Sequence, residues 1–182
     1  MKKLVFATLM CVAAMSAKAQ VLTSETVNNV YETVSNQQAA SKFIFNAERT
    51  GRDINTMYVF KKGTDSKGLE NLKPYMKYEY SYTTDGMLAS RVVYLWIDGQ
   101  DSWMCKGRYD YSLSLDKYFA EYSRYNHTTE SFDQPVDKMV YSLQPDESVN
   151  YVINYHRDRP SAHFQLVSEI TVEDPSMLLA EK

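Results

Sequence analysis

One six-residue phrase occurs three times in the chain and constrains the fold more than any other feature. The copies are KYEYSY at Lys77–Tyr82, RYDYSL at Arg108–Leu113 and KMVYSL at Lys138–Leu143, at offsets of 31 and 30 residues. Each copy begins with a basic residue and has Tyr-Ser at its fourth and fifth places. A repeat of this length predicts one structural unit that is used several times in succession.

The residues that follow each phrase are also shared. An aspartate comes five residues after the fourth-place tyrosine, a second tyrosine comes fourteen after it, and another aromatic residue follows that tyrosine. A weaker copy, KFIFNA, starts at Lys42 and has Thr50-Gly51 in place of the aspartate turn. The shared positions are Asp85, Asp116 and Asp146, then Tyr94, Tyr125 and Tyr155, then Trp103, Phe132 and Phe164.

Each copy has the pattern of two strands joined by a turn. In the first copy Tyr78, Tyr80 and Tyr82 alternate with polar residues, which predicts a half-buried antiparallel strand. Asp85-Gly86 is a hairpin turn signal. The three second strands are predicted at Leu88–Trp96, Phe119–Asn126 and Val149–Tyr155.

Sequential strands joined by short turns usually pair with their neighbours. The sequence therefore predicts a mainly β protein, a single antiparallel meander of about nine strands built from tandem hairpin repeats of about 30 residues. The repeat domain spans residues 42–172. A short helix is predicted at Ser24–Val34 with Ser24 as its cap, and the polar stretch Lys61–Pro74 is predicted to be a surface loop.

The N-terminus has the features of an export signal. Residues 1–19 combine basic Lys2 and Lys3, an apolar run and the small-residue pattern Ala17-Lys18-Ala19, as secretory signal peptides do. Met10 before Cys11 is not the small residue that lipoprotein sites use. We expect export to the periplasm or cell exterior without a lipid anchor. The rest divides into an N-terminal segment, 20–41, the repeat domain and a tail, 173–182.

The charge, the cysteine content and the lengths of the apolar stretches argue against several classes of protein. Without residues 1–19 the chain has 17 basic and 23 acidic residues, which argues against a nucleic-acid partner. Cys105 is then the single thiol, and we expect it to be buried and inert. No second apolar stretch approaches the length of a membrane span.

The aromatic hairpins, together with the signal peptide, resemble small secreted proteins of unknown function from gut Bacteroidales. The likeness covers roughly Lys42 to Val172 and rests on the repeated Tyr-x-Tyr phrase, its aspartate turn and the later Trp or Phe. It implies an exported β-sheet protein with no assigned activity. YSYTTDGML at Tyr80–Leu88 has a weaker likeness to the YD repeats of large bacterial surface proteins.

The candidate binding residues flank the loops between copies. Aromatic planes beside carboxylates and amides suit sugar rings, although such rings also form cores. We therefore expect a non-catalytic binding module for a glycan or an envelope protein, with no metal or cofactor. The residues proposed to bind are Tyr94, Trp96, Asp98, Asp101, Trp103, Tyr125 and Phe132.

Two other functions are considered beside this one. A metal-dependent hydrolase would use the His156–His163 region with Asp158 and Glu169, although their spacing fits no standard metal motif. A structural protein would form homo-oligomers through open sheet edges. The recurring aspartates resemble calcium ligands, but one acid per turn is typical of a turn residue that bonds to its own backbone.

Overall fold

The computed structural model describes residues 21–64, 67–144 and 149–171. The strands follow one another in the order β1-β2-β3-β4-β5-β6-β8-β9-β10, and the two-residue β7 pairs with β6. The predicted antiparallel meander with one short N-terminal helix is confirmed. The elements are α1 Ser24–Asn36, β1 Phe43–Thr50, β2 Asp53–Thr64, β3 Glu70–Tyr82, β4 Leu88–Ile97, β5 Ser102–Ser114, β6 Lys117–Asn126, β7 Ser131–Phe132, β8 Asp137–Leu143, β9 Val149–His156 and β10 Gln165–Thr171.

The chain divides into two compact units. The N-terminal unit contains residues 23–108 and 124–132, and therefore α1, β1–β4, β7, the first part of β5 and the end of β6. The C-terminal unit contains residues 109–123 and the described residues from 133 onward, including β8–β10.

The core of the N-terminal unit lies on one face of β1–β4. Met57 and Val59 of β2 are buried there, and their cross-strand partners Tyr78 and Met76 in β3 are buried as well. Helix α1 packs against β1 and β2 and buries Val27. Because alternate residues point to opposite faces, the buried Tyr78 and Tyr80 place the polar members of the phrase on the other face.

The start of helix α1 is hydrogen-bonded to the turn between β3 and β4. Thr23 caps the helix, since its hydroxyl accepts a hydrogen bond from the Thr26 amide at 3.2 Å. The Ser24 amide donates to the Gly86 carbonyl at 3.0 Å. Asp85 accepts a hydrogen bond from the Thr83 hydroxyl at 2.5 Å. This aspartate therefore takes part in the turn's own hydrogen bonding.

The C-terminal unit has its own buried face. Tyr118, Ala120 and Met139 are buried there on neighbouring strands. The Tyr118 ring lies 6.1 Å from Tyr111 and 6.0 Å from Tyr141, measured between ring centroids. The fourth-place tyrosines of the second and third copies thus contact a common ring.

Two local predictions are wrong. Residues 61–64 and 70–74 are not a loop, because they extend β2 and β3 and pair from Lys61↔Lys73 to Thr64↔Glu70. Strand pairing uses backbone groups, so a polar sequence exposed on both faces can still pair. The helix cap is Thr23 and not Ser24, because the Thr23 hydroxyl reaches the Thr26 amide.

Several predicted features lie outside the described residues. They are the signal peptide at 1–19, the Asp146 turn, Val172 and the tail at 173–182. In the described part of the chain, no helix combines the length and apolarity that crossing a membrane requires.

The turns of the first two copies predict stability changes of opposite sign. Gly86 has φ +81°, whereas Leu115, which is 96% exposed between β5 and β6, has φ +54°. Only glycine adopts positive φ without steric cost. We expect Leu115→Gly to raise the free energy of unfolding by about 0.5 kcal/mol and Gly86→Ala to lower it by at least about 1 kcal/mol, measured by urea titration.

Leu113→Gly is the control, because Leu113 is exposed near the end of β5 without positive φ. This change should destabilise the strand by about 0.5–1 kcal/mol. A destabilised Leu115→Gly variant would refute the assignment of strain to that turn.

Candidate ligand-binding face

The basic residue that opens the first phrase and the one that opens the third each have a defined cross-strand partner. Lys77 is the cross-strand partner of Tyr94, and Lys138 is the cross-strand partner of Tyr155. Both pairs are seventeen residues apart in the chain, so the repeat spacing corresponds to a cross-strand contact.

The opening cation also lies over an aromatic ring in all three copies. The distances to the ring centroids are 4.0 Å for Lys77 over Tyr94, 4.5 Å for Arg108 over Phe132 and 4.9 Å for Lys138 over Phe119. Cation–ring contacts stabilise by about 0.5–1 kcal/mol at exposed sites.

In the N-terminal unit this pairing forms a connected cluster. The Lys77 Nζ donates to Glu79 Oε1 at 2.6 Å, and the Tyr94 hydroxyl donates to Glu79 Oε2 at 2.7 Å. Lys77 also lies 5.9 Å from the Trp103 ring centroid and is only 15% exposed. Its ammonium is therefore paired with a carboxylate and covered by rings.

These contacts shift two titrations. Partial burial acts to raise the pKa of Glu79, but the hydrogen bonds from Lys77 and Tyr94 outweigh it, so this pKa lies below its ordinary value. Burial and the bond to the Glu79 carboxylate raise the pKa of Tyr94 well above its ordinary value. At neutral pH the cluster contains an ammonium, a carboxylate and a neutral phenol.

The two tryptophans lie beside this cluster. The Trp96 and Trp103 centroids are 5.0 Å apart and their planes meet at 70°, which is an edge-to-face contact. Tyr58, the cross-strand partner of Lys77, has its ring 6.1 Å from Trp103. All three rings are half-buried, so each keeps part of its surface accessible. We call the set of Tyr58, Lys77, Tyr94, Trp96 and Trp103 the aromatic face.

The other predicted binding residues have different positions. Tyr125 and Phe132 contact each other edge-to-face at 5.2 Å, on the paired strands β6 and β7. Asp98 and Asp101 are exposed in the turn that joins the two tryptophan-bearing strands. The structure thus brings Tyr94, Trp96 and Trp103 together and places the two aspartates at the adjacent turn.

Sequence reasoning missed Lys77, Glu79 and Tyr58 as members of this cluster. The basic residue at the start of every phrase was the available signal, since it recurs as faithfully as the tyrosines. Tyr58 precedes the repeated phrases, and only the β2–β3 register places it opposite Lys77.

The histidine and cysteine candidates have simpler surroundings. The His156 Nδ1 lies 2.6 Å from Asp137 Oδ1, and its Nε2 lies 3.5 Å from Asp158 Oδ1. His163 is exposed. Among the described residues, no group of three or more His, Cys, Asp or Glu side chains is arranged to hold a metal ion. Cys105 is half-buried, and burial raises the pKa of its thiol.

Comparison with known proteins supports the resemblance found in the sequence. Residues 1–143 match DUF3836, a family of unknown function. No curated protein matches the chain.

Three solved structures are similar to this chain, and the first of them supports the fold. A protein of unknown function from Bacteroides fragilis superposes with a TM-score of 0.62 at 20% identity, over 75% of this chain and 96% of that one. A DUF3836 protein from Bacteroides vulgatus has a TM-score of 0.46 at 20% identity and covers 53% of this chain and 92% of that one. One from Parabacteroides distasonis has 0.47 at 18%, covering 55% and 89%.

The Lys77–Glu79 pair predicts a pH-dependent stability. Because the folded-state pKa of Glu79 is lowered, its contribution is present at neutral pH and is lost as the pH falls below 4.5 and through the lowered pKa. Since this side chain is 40% exposed, solvent screens the interaction. We expect Glu79→Gln to cost about 0.5–1 kcal/mol at pH 7 and to approach wild type near pH 3, measured by urea unfolding.

Glu70→Gln is the matched control, since Glu70 is an exposed glutamate at the start of the same strand. It should stay within about 0.5 kcal/mol of wild type at both pH values. A Glu79→Gln deficit that persists at acid pH would contradict the ion-pair account.

Proposed function

The chain belongs to the DUF3836 family of unknown function, and from that premise we propose that it is an exported, non-catalytic binding module for a glycan. The proposed export follows from the signal-peptide features of residues 1–19. The proposed ligand site is the aromatic face of the N-terminal unit, with Asp98 and Asp101 at its margin.

The observation that carries the proposal is the position of Tyr94, Trp96 and Trp103. These rings lie on the face of the sheet opposite the buried Met57 and Tyr78, and they are half-buried. Trp96 and Trp103 meet at 70°, so their planes form an angled surface. A sugar ring can stack on one such plane while its hydroxyl groups reach the polar groups of the β4–β5 turn.

The charge of this face favours a neutral saccharide. Lys77 and Glu79 neutralise each other at 2.6 Å, and the Tyr94 hydroxyl is already bonded to Glu79. A charged ligand group would have to displace one of these partners. An envelope protein is the second kind of partner to test, because half-buried aromatic residues also anchor protein interfaces.

Replacing Trp96 tests the site directly. We expect Trp96→Ala to weaken binding of a neutral oligosaccharide about tenfold or more, because ring stacking is lost and a half-buried aromatic contributes about 1–2 kcal/mol at a binding surface. A glycan array would identify the oligosaccharide, and titration by isothermal calorimetry would measure its dissociation constant.

Tyr75→Ala is the matched control, because Tyr75 is an exposed ring in the same unit, stacked on Phe43 at 5.2 Å. It should leave binding unchanged. If Trp96→Ala and Trp103→Ala retain every interaction on the array and in pull-downs from envelope extract, and lose only stability, the proposed site is wrong.

Self-association is a second candidate function, favoured by the last strand of the sheet order. Leu166, Val167 and Ile170 of β10 are all exposed. At the other end of the order, side chains of Ser41, Gln38 and Asn46 bond to the β1 backbone at 3.0–3.1 Å. Such bonds occupy edge groups that could otherwise pair with another chain. Two copies would therefore pair through β10.

Charged residues on β10 should block this pairing. We expect wild-type protein to be dimeric in multi-angle light scattering and Leu166→Lys/Ile170→Lys to be monomeric, because the lysines would face each other across an isologous contact. Leu72→Lys is the control, since Leu72 is an exposed leucine of the other unit. A monomeric wild type at high protein concentration would rule out this function.

A further inference from the structure

A groove crosses the C-terminal unit on the face opposite Tyr118 and Met139. It has a volume of about 600 Å³ and is lined by alternate residues of β6, β8 and β9 together with Phe164. Cross-strand pairing arranges the lining in rows, because partners on neighbouring strands share a face. The rows are Lys117–Ser142–Tyr151, Phe119–Val140–Ile153 and Lys138–Tyr155.

The groove has an apolar centre with a lysine–tyrosine row at each end. Phe119, Val140 and Ile153 form the centre. The two outer rows lie four residues apart along β8, which is about 13 Å of strand. An occupant that matches this lining has an apolar or planar middle and an anionic group that reaches the exposed Lys117.

The opening lysine of the third copy has different surroundings from that of the first copy. In the first copy the third place of the phrase is Glu79, which pairs with Lys77, whereas in the third copy it is Val140. Lys138 is 30% exposed, twice the 15% of Lys77, and it reaches Glu121 on the neighbouring strand at 3.1 Å. The same repeat position is thus more accessible in this unit.

Two acids beside the groove have partners within the chain. Glu121 pairs with Lys138, and the Tyr151 hydroxyl bonds to Glu169, a bond that raises the pKa of Tyr151. The lining itself contains two lysines and no carboxylate. Beside it, the Arg157 guanidinium lies over the Phe164 ring at 4.5 Å. The lining therefore combines cations and aromatic planes in a chain whose net charge is −3.

We propose that this groove binds an acidic saccharide, with sugar rings stacked on the aromatic lining and a carboxylate paired with the exposed Lys117. The site goes beyond the proposed function, since it lies in the other unit and takes a charged ligand. A saccharide suits it better than a nucleic acid, because the basic groups are two lysines at separate rows and form no continuous stripe.

The test compares an oligogalacturonate with the same oligomer after methyl esterification, by isothermal calorimetry on the full chain. The acid form should bind and the neutral ester should not. Lys117→Gln should weaken binding about tenfold, because a charge-assisted contact to the ligand is lost. Binding should also weaken as salt is raised, since the lysine is exposed.

Lys61→Gln is the charge-matched control on the other unit, and it should bind like wild type. Trp103→Ala should also keep acid binding, which separates this site from the aromatic face. Loss of neutral-glycan binding alone would overturn only the proposed function.

Three results would contradict the proposed binding site in the groove. They are equal binding of the esterified oligomer, unchanged affinity in Lys117→Gln with wild-type circular dichroism, and absence of oligogalacturonate binding by the folded chain. Tighter binding of a single-stranded oligonucleotide, lost in Lys117→Gln, would also overturn the saccharide assignment.

Discussion

The alternation of side chains along a β-strand is the constraint on which the rest of the structure depends. The basic residue and the tyrosine of each phrase are three residues apart, so they point to opposite faces. Tyr80 is accordingly buried in the core of the N-terminal unit, while Lys77 lies beside Trp103 on the other face. One short phrase thus specifies a core position and a surface position together.

The first and third copies of the repeat share a cross-strand contact but differ in the residue at the third place of the phrase. In the first and third copies the opening lysine faces a tyrosine on the next strand, seventeen residues later. The third place of the phrase then decides what this pair can do. Glu79 neutralises Lys77 and joins it to Tyr94, whereas Val140 forms part of an apolar row next to Lys138. A single position therefore distinguishes an ion-paired aromatic surface from a groove with an apolar centre.

Features that depend on residues close together in the chain were predicted from the sequence, and features that depend on residues far apart were not. The strands and the Asp85-Gly86 turn were predicted because period and turn chemistry are local. The Lys61–Pro74 stretch was misassigned because its pairing depends on backbone partners across the hairpin and not on an apolar pattern. In the candidate site, Trp96 and Trp103 were predicted from their place beside a loop. Tyr58 was not, since only the register between β2 and β3 places it opposite Lys77.

The sequence by itself determined the hairpin repeat, the antiparallel meander and the shared side of Tyr78 and Tyr80 on their strand. These properties follow from the two-residue alternation of apolar and polar side chains and from the short turn sequences, and both are local features of the chain. Only the tertiary structure decided which face remains accessible and which charges are paired there. Both depend on where helix α1 packs and on the register between strands, as in the contacts of Lys77 with Tyr58 and Tyr94. Such contacts join residues far apart in the chain, so local periodicity does not encode them.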